Sequence, residues 1–261
     1  MAVEPADLLA IKTVGDVQLS PDGTRVAYTL VEIDAEADEY RSAVWVVPAK
    51  GGEPVRFTRG PRRDRAPRWS PDGRWLAFLS DRDDDEAQLY LMPATGGEAH
   101  RLATLLPGVR SAAWSPDGTR LLLTARVPVE TPPADAAARA RWAERPRVVT
   151  RAAYKADGAG YQLDRPSQLL VVRVADGAVT RITHGDADDR TPAWSPDGLR
   201  IAWSRARPGA ADYNVYDLWV ADAAGGNARR LTTDVGRAIA PSWSPDGAAI
   251  ACYGTDEQQP G

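Results

Sequence analysis

The chain has 261 residues, 43% of them hydrophobic and 26% charged, and its 32 basic and 36 acidic side chains leave a formal charge of −4. Those values suit a globular protein with room for one large β domain or two smaller ones. The charges are scattered, and the two basic clusters, Arg59 to Arg65 and Arg139 to Arg151, are short and mixed, so nucleic acid is not expected as a partner. No run approaches 18 consecutive apolar residues, which excludes a membrane-spanning helix.

The chain opens with a lead segment over 1–14, "MAVEPADLLAIKTV", whose early acids and lack of a long apolar run are unlike a signal peptide. From there one motif sets the plan. "LSPDG" at 19–23 is followed by "WSPDG" at 69–73, 114–118, 194–198 and 243–247, with the serines 50, 45, 80 and 49 residues apart. A period of that size with one long insertion points to a propeller or another repeat array. After each turn comes an apolar run ("TRVAYTL", "RWLAFLS", "TRLLLTA", "LRIAWSR", "AAIACYG"). In the first four repeats a second run follows ("AVWVVPAKGG", "QLYLMPATGG", "QLLVVRVADG", "DLWVADAAGG") and then a short closing strand ("PVRFTRG", "AHRLATL", "VTRITHG", "ARRLTTD"). Short runs rich in Val, Leu, Ile, Trp and Tyr between Gly, Pro and Asp read as strands. Four strands joined by tight turns make one propeller blade.

The expected fold is therefore an all-β propeller filling 15–261. Blades span about 15–60, 66–106, 110–185 and 191–234, and a half blade covers 239–253. The half blade would leave an unpaired edge, so the pattern is that of part of a larger protein, with closure by a second copy of the chain as the alternative.

In each "SPDG" the Pro fixes φ, the Asp suits the third position and the Gly takes a positive φ, giving a type I turn with a bulge. Asp22, Asp72, Asp117, Asp197 and Asp246 are read as turn formers. A metal site needs ligands that converge, and these carboxylates stand one per blade, so no metal and no cofactor is expected. The tryptophans before the turn, Trp69, Trp114, Trp194 and Trp243, are placed to pack between blades.

The connections after second and fourth strands fall on one rim, and they include 32–41, 80–87, 205–217 and the insert 127–166. Variable loops on a rigid scaffold make that rim the candidate working face. Within the insert, Thr131 and Pro132 suggest the start of a short helix ending before Pro146. The segment after it carries Arg151, Tyr154, Lys155 and Tyr161, cations and aromatics able to grip a carboxylate or stack on a ligand. Hairpin and interblade contacts are the simpler reading for most of them. The acidic run Asp81, Asp83, Asp84, Asp85, Glu86 lacks the spacing of a calcium loop and reads as a solvated connection.

No G-x-S-x-G elbow is present, and neither His100 nor His184 has a serine and carboxylate pattern beside it, so the chain by itself is not expected to catalyse. Cys252, the single cysteine, lies in "AIACYG" and reads as a small buried thiol; that usage suits a reducing cytoplasm.

The repeat, with "SDRD", "QLYLMPATGG" and "HRLA", resembles the blade shared by TolB-like propellers and the propellers of the prolyl oligopeptidase family. "ADLLAIKTVGDVQLSPDGTRVAY", "TRAAYKADGAGYQLDRPSQLLVV", "RITHGDADDRTPAWSPDG" and "PSWSPDGAAIACYGTDEQ" resemble its acylaminoacyl-peptidase-like branch. The resemblance implies a seven-bladed propeller that gates an α/β-hydrolase domain carrying Ser, Asp and His and admits short or N-acylated peptides. That domain has no counterpart among these residues, so no catalytic residue carries over. The resemblance places Arg151, Tyr154, Lys155 and Tyr161 as peptide- or interdomain-contacting. A stand-alone, protein-binding propeller of TolB type is the second reading.

Overall fold

The structure, a computed structural model, describes residues 4–83, 86–105, 108–131, 133, 135–146, 148, 149, 154–156, 160, 161, 164–208, 215–233 and 235–255. Its first antiparallel sheet consists of β1 (Thr13–Leu19), β2 (Arg25–Asp34), β3 (Glu39–Pro48) and β4 (Val55–Arg56). The second follows with β5 (Asp64–Trp69), β6 (Trp75–Ser80), β7 (Gln88–Pro93) and β8 (His100–Ala103). A third opens with β9 (Val109–Trp114) and β10 (Arg120–Arg126). It is interrupted by α1 (Ala136–Ala143) and the hairpin β11 (Lys155–Ala156) and β12 (Gly160–Tyr161), then completed by β13 (Ser167–Arg173) and β14 (Val179–Arg181). The fourth is β15 (Asp189–Trp194), β16 (Arg200–Ala206), β17 (Tyr216–Asp222) and β18 (Arg229–Arg230). A last antiparallel pair, β19 (Arg237–Trp243) and β20 (Ile250–Thr255), touches the fourth sheet through one parallel bridge from Tyr216 to Arg237. Four four-stranded meanders at the repeat period are propeller blades, as the pattern requires.

The chain forms two compact units, one of 1–123 with 172–179 and one of 124–171 with 180–261. Within each unit the same devices join one blade to the next. The first is the ring tryptophan. Trp69 Nε1 donates to Gln18 O (3.3 Å), Trp114 Nε1 to Arg68 O (2.9 Å) and Trp243 Nε1 to Ala193 O (3.3 Å), each acceptor standing just before the same position of the preceding blade. Arg25 and Arg200, two residues past the "SPDG" turn, lie 4.6 and 4.7 Å from the ring centroids of Trp69 and Trp243. Trp69 is buried in a cluster with Ala27, Val44, Leu76, Phe78 and Met92, so the ring anchors apolar packing as well.

The second device is a bulge. The opening strands β1, β5, β15 and β19 each lose register, with Asp16, Ala66, Thr191 and Ala240 at φ of 52°, 54°, 47° and 53°. Bulges of this kind kink the strand and free a backbone N–H. Ala66 N–H is taken up by Thr29 Oγ1 (3.2 Å) and Ala240 N–H by Thr191 Oγ1 (3.1 Å), both from the preceding blade.

Three local readings are corrected. The connection over 32–41 is largely strand: β2 and β3 are ten residues each, and their ladder runs on to Asp34 opposite Glu39. The cap of α1 is Asp135, whose carboxylate accepts from Ala138 N–H at 2.8 Å. The helix thus begins four residues later than a cap at Thr131 would place it. Cys252 is exposed, because among the described residues no further sheet packs on β20.

Candidate functional site

The five turn aspartates share one geometry. In the second blade Ser70 Oγ donates to Asp72 Oδ1 (2.6 Å) and accepts from Trp75 N–H (2.9 Å), while Arg74 N–H donates to the same carboxylate oxygen (3.0 Å). The contacts recur at Ser20 with Asp22, Ser115 with Asp117, Ser195 with Asp197 and Ser244 with Asp246. Hydroxyl and amide donors favour the charged form, so Asp22 and Asp72 are held down at about 2 from a usual 3.8. Asp197 and Asp246 are lowered by their serines in the same way. In Asp117 burial works the other way, but the bonds from Ser115 and Thr119 outweigh it and the net direction is down. These carboxylates bond within their own turns, and Arg74 also pairs with Asp72 and Arg120 with Asp117.

The insert is tied to its blade by a two-rung extension of β10 and β13. Val127 N–H donates to Pro166 O (3.0 Å) and Val129 N–H to Asp164 O (2.9 Å). Beyond that stem, α1 has no buried residue, and Arg145 pairs with Glu130 and lies 4.5 Å from the Trp142 ring centroid. The hairpin sets Lys155 opposite Tyr161 and Ala156 opposite Gly160. Tyr154, just before β11, and Lys155 are both exposed. Three of the four candidate residues therefore stand within one short hairpin, while Arg151 lies outside the described residues, as do Asp84 and Asp85 of the acidic run.

Ion pairs stand at strand ends within each unit. Asp81 takes both the N–H and Nε of Arg63 (2.8 Å each), and buried Asp64 takes Arg82 (2.9 Å). Buried Asp189 accepts from Arg205 Nε and Trp203 Nε1, both at 2.7 Å; burial nonetheless pushes its carboxyl up. Asp217 holds Arg207 and Arg230. These acids brace strand ends.

Residues 13–131 match the family model described as PD40, TolB beta propeller domain. Over 198 residues, 76% of the chain, it is 37% identical to the protein named "Uncharacterized peptidase YuxL" of Bacillus subtilis (strain 168), of which it spans 30%. Among solved structures, acylaminoacyl peptidase of Pyrococcus horikoshii superposes with a TM-score of 0.74 at 19% identity, covering 98% of this chain and 38% of that one. A putative TolB from Agrobacterium tumefaciens gives 0.62 at 20% identity, covering 94% of this chain and 72% of that one. At such identities the structural likeness is one of fold. The chain thus spans about a third of the peptidases it matches.

One blade breaks the pattern of the others in a way that single residues did not reveal. In blades one, three and four the closing strand reads Arg-x-Thr. Nε of Arg56, Arg181 and Arg230 donates to the carbonyl of Thr58 (3.0 Å), Thr183 (2.9 Å) and Thr232 (2.5 Å). Blade two has Ala103 in place of the threonine, and Arg101 Nε turns instead to the Tyr90 hydroxyl (3.2 Å), which donates to Asp83. Burial, with Asp83 beside it, pushes the Tyr90 phenol up and keeps it protonated. Aligning the four closing strands against one another is the signal that finds this site.

Proposed function

We propose that this propeller is the substrate-selecting part of a serine peptidase of the prolyl oligopeptidase and acylaminoacyl-peptidase type. It would admit short or N-acylated peptides to a hydrolase domain lying outside residues 1–261 of the same protein. The observation that carries this reading is the 37% identity to a protein named as a peptidase, of which the chain spans only 30%. The insert hairpin with Tyr154, Lys155 and Tyr161, together with Arg151, is its proposed contact with peptide or hydrolase domain, since cations and aromatics such as the exposed Tyr154 and Lys155 can meet a peptide carboxylate. The aspartates Asp22, Asp72, Asp117, Asp197 and Asp246 serve the turns. A cytoplasmic location accords with a single cysteine.

The test is made on the full-length gene product. It should label with a fluorophosphonate and cleave N-acetylated di- to tetrapeptides while leaving a folded protein intact. Lys155→Ala with Tyr154→Ala should raise KM for those peptides severalfold. Absence of labelling in folded full-length protein removes the peptidase reading. A second reading, a protein-binding propeller of TolB type, is favoured by the 72% coverage of the Agrobacterium structure. It predicts retention of a partner protein by the unlabelled chain.

A further inference from the structure

The break in blade two coincides with a cavity. In blades three and four the turn between third and fourth strands presses its glycine against the closing strand of the preceding blade. A Cβ on Gly177 would stand 2.3 Å from Leu102 O, and one on Gly225 3.1 Å from Ile182 O. The equivalent turn of blade two stands off: a Cβ on Gly96 would meet only a Phe57 ring carbon, at 3.9 Å. The gap is a groove of about 750 Å³ between β4 and β8, within the range of small-ligand sites.

Its walls have a distinct chemistry. Arg56, Arg59, Arg82 and Arg101 line it against only two acids, Asp83 and Glu98. Arg82 pairs with Asp64 and lies 4.9 Å from the Tyr90 ring centroid, and Arg101 pairs with Asp83. Arg56 and Arg59 have no carboxylate partner among the described residues, and both are exposed at the mouth. The floor is aromatic and apolar, formed by Phe57, Tyr90 and Met92. The repeat would satisfy this geometry with the Trp seen at positions 45 and 219, which face Arg56 and Arg230. Blade two places Tyr90 there, and its hydroxyl fixes Arg101 and Asp83 along one wall.

We propose that this groove binds a ligand joining a carboxylate to an aromatic or aliphatic body, the carboxylate held by Arg56 and Arg59 and the body resting on Phe57, Tyr90 and Met92. A guanidinium fork suits a planar carboxylate, and two forks with no internal carboxylate leave an anion as the complementary charge. The inference does not depend on the peptidase reading. The carboxylate can belong to an acidic peptide or to a free organic acid, and the experiment separates the two.

The probes are acetyl-Glu-Phe-Glu-amide, its neutral analogue acetyl-Gln-Phe-Gln-amide, and 3-phenylpropionate, each titrated calorimetrically into the 261-residue chain at low salt. The acidic peptide or the free acid should bind at least tenfold more tightly than the neutral peptide. The affinity should fall at least fivefold on raising salt from 50 to 300 mM. Binding by peptide alone marks a peptide site; equal binding by phenylpropionate marks an organic-acid site. Arg56→Gln with Arg59→Gln should abolish the preference while the circular dichroism and thermal midpoint stay as in the parent, since both side chains are exposed. Tyr90→Phe tests the wall independently, with an expected loss of at least threefold. Equal affinity for the charged and neutral peptides, or a preference unchanged in the folded double variant, overturns the proposal.

Discussion

Trp69 bears on three of the contacts that join the first two blades, so its replacement measures the joint. Its indole N–H bonds to Gln18 O, Arg25 lies 4.6 Å from the ring centroid, and the ring is 7% exposed within the apolar cluster. Trp69→Phe keeps a ring but loses the hydrogen bond, at about 0.5–1.5 kcal/mol. It also weakens a cation–π contact of about 0.5–1 kcal/mol, so a cost of about 1–2.5 kcal/mol is expected. Trp69→Ala empties the site and should cost about 3–5 kcal/mol. Leu19 occupies the equivalent place in the first blade and is 59% exposed, so Leu19→Ala should stay within about 0.5 kcal/mol. Urea unfolding of the 261-residue chain followed by far-ultraviolet circular dichroism reads all three as shifts in midpoint at constant slope. If Trp69→Ala costs no more than Leu19→Ala, the ring is not the joint and the reasoning fails. If Phe costs as much as Ala, the hydrogen bond outweighs the packing and the ranking of the two terms is wrong.

Two further outcomes follow from the turns. Asp22 and Asp72 titrate at about 2 in the folded chain against 3.8 ordinarily, so between those values the unfolded chain binds more protons. Their contribution is complete above pH 4 and drains away as the pH falls toward 2. In urea midpoints taken from pH 5 to 2, the variant Asp22→Asn with Asp72→Asn should therefore decline less steeply than the parent, and parallel curves would contradict the assignment. Gly177 and Gly23 share a φ of 69°, yet a Cβ on Gly177 meets Leu102 O while one on Gly23 meets nothing within 4 Å. Gly23→Ala should cost about 1 kcal/mol for the backbone alone and Gly177→Ala at least about twice that. Equal thermal shifts for the two would show that the blades do not press together there.

The repeat made the blades legible because each strand pair closes over the same five letters. Ser70 and Asp72 act within six residues of each other, and interactions that local need no tertiary context to be read. What failed to be read depends on neighbours distant in sequence. Cys252 sits in an apolar run that resembles a buried strand, but burial is decided by whether another sheet packs on β20, which its own letters do not state. The loop at 32–41 looked polar enough to be a connection, yet cross-strand pairing of Glu32 with Arg41 and Ile33 with Tyr40 carries the hairpin outward. Polar side chains tolerate a strand that extends past the core, so composition alone placed the boundary too early.

The candidate sites divide along the same line. The insert could be marked from composition, since cations and aromatics concentrated between Arg151 and Tyr161 break an otherwise regular period. The groove could not, because each of its residues is ordinary for its own position and only the set departs from the repeat. Ala103 removes the hydroxyl that in the other three blades accepts a third-strand N–H, Tyr90 supplies a hydroxyl where two other blades have an indole, and the Gly96 turn stands off where two others touch. Each change alone is a small loss to packing. Three such losses at one joint, with two guanidiniums lacking a carboxylate at its mouth, are what a repeat protein looks like where one joint has been given over to binding.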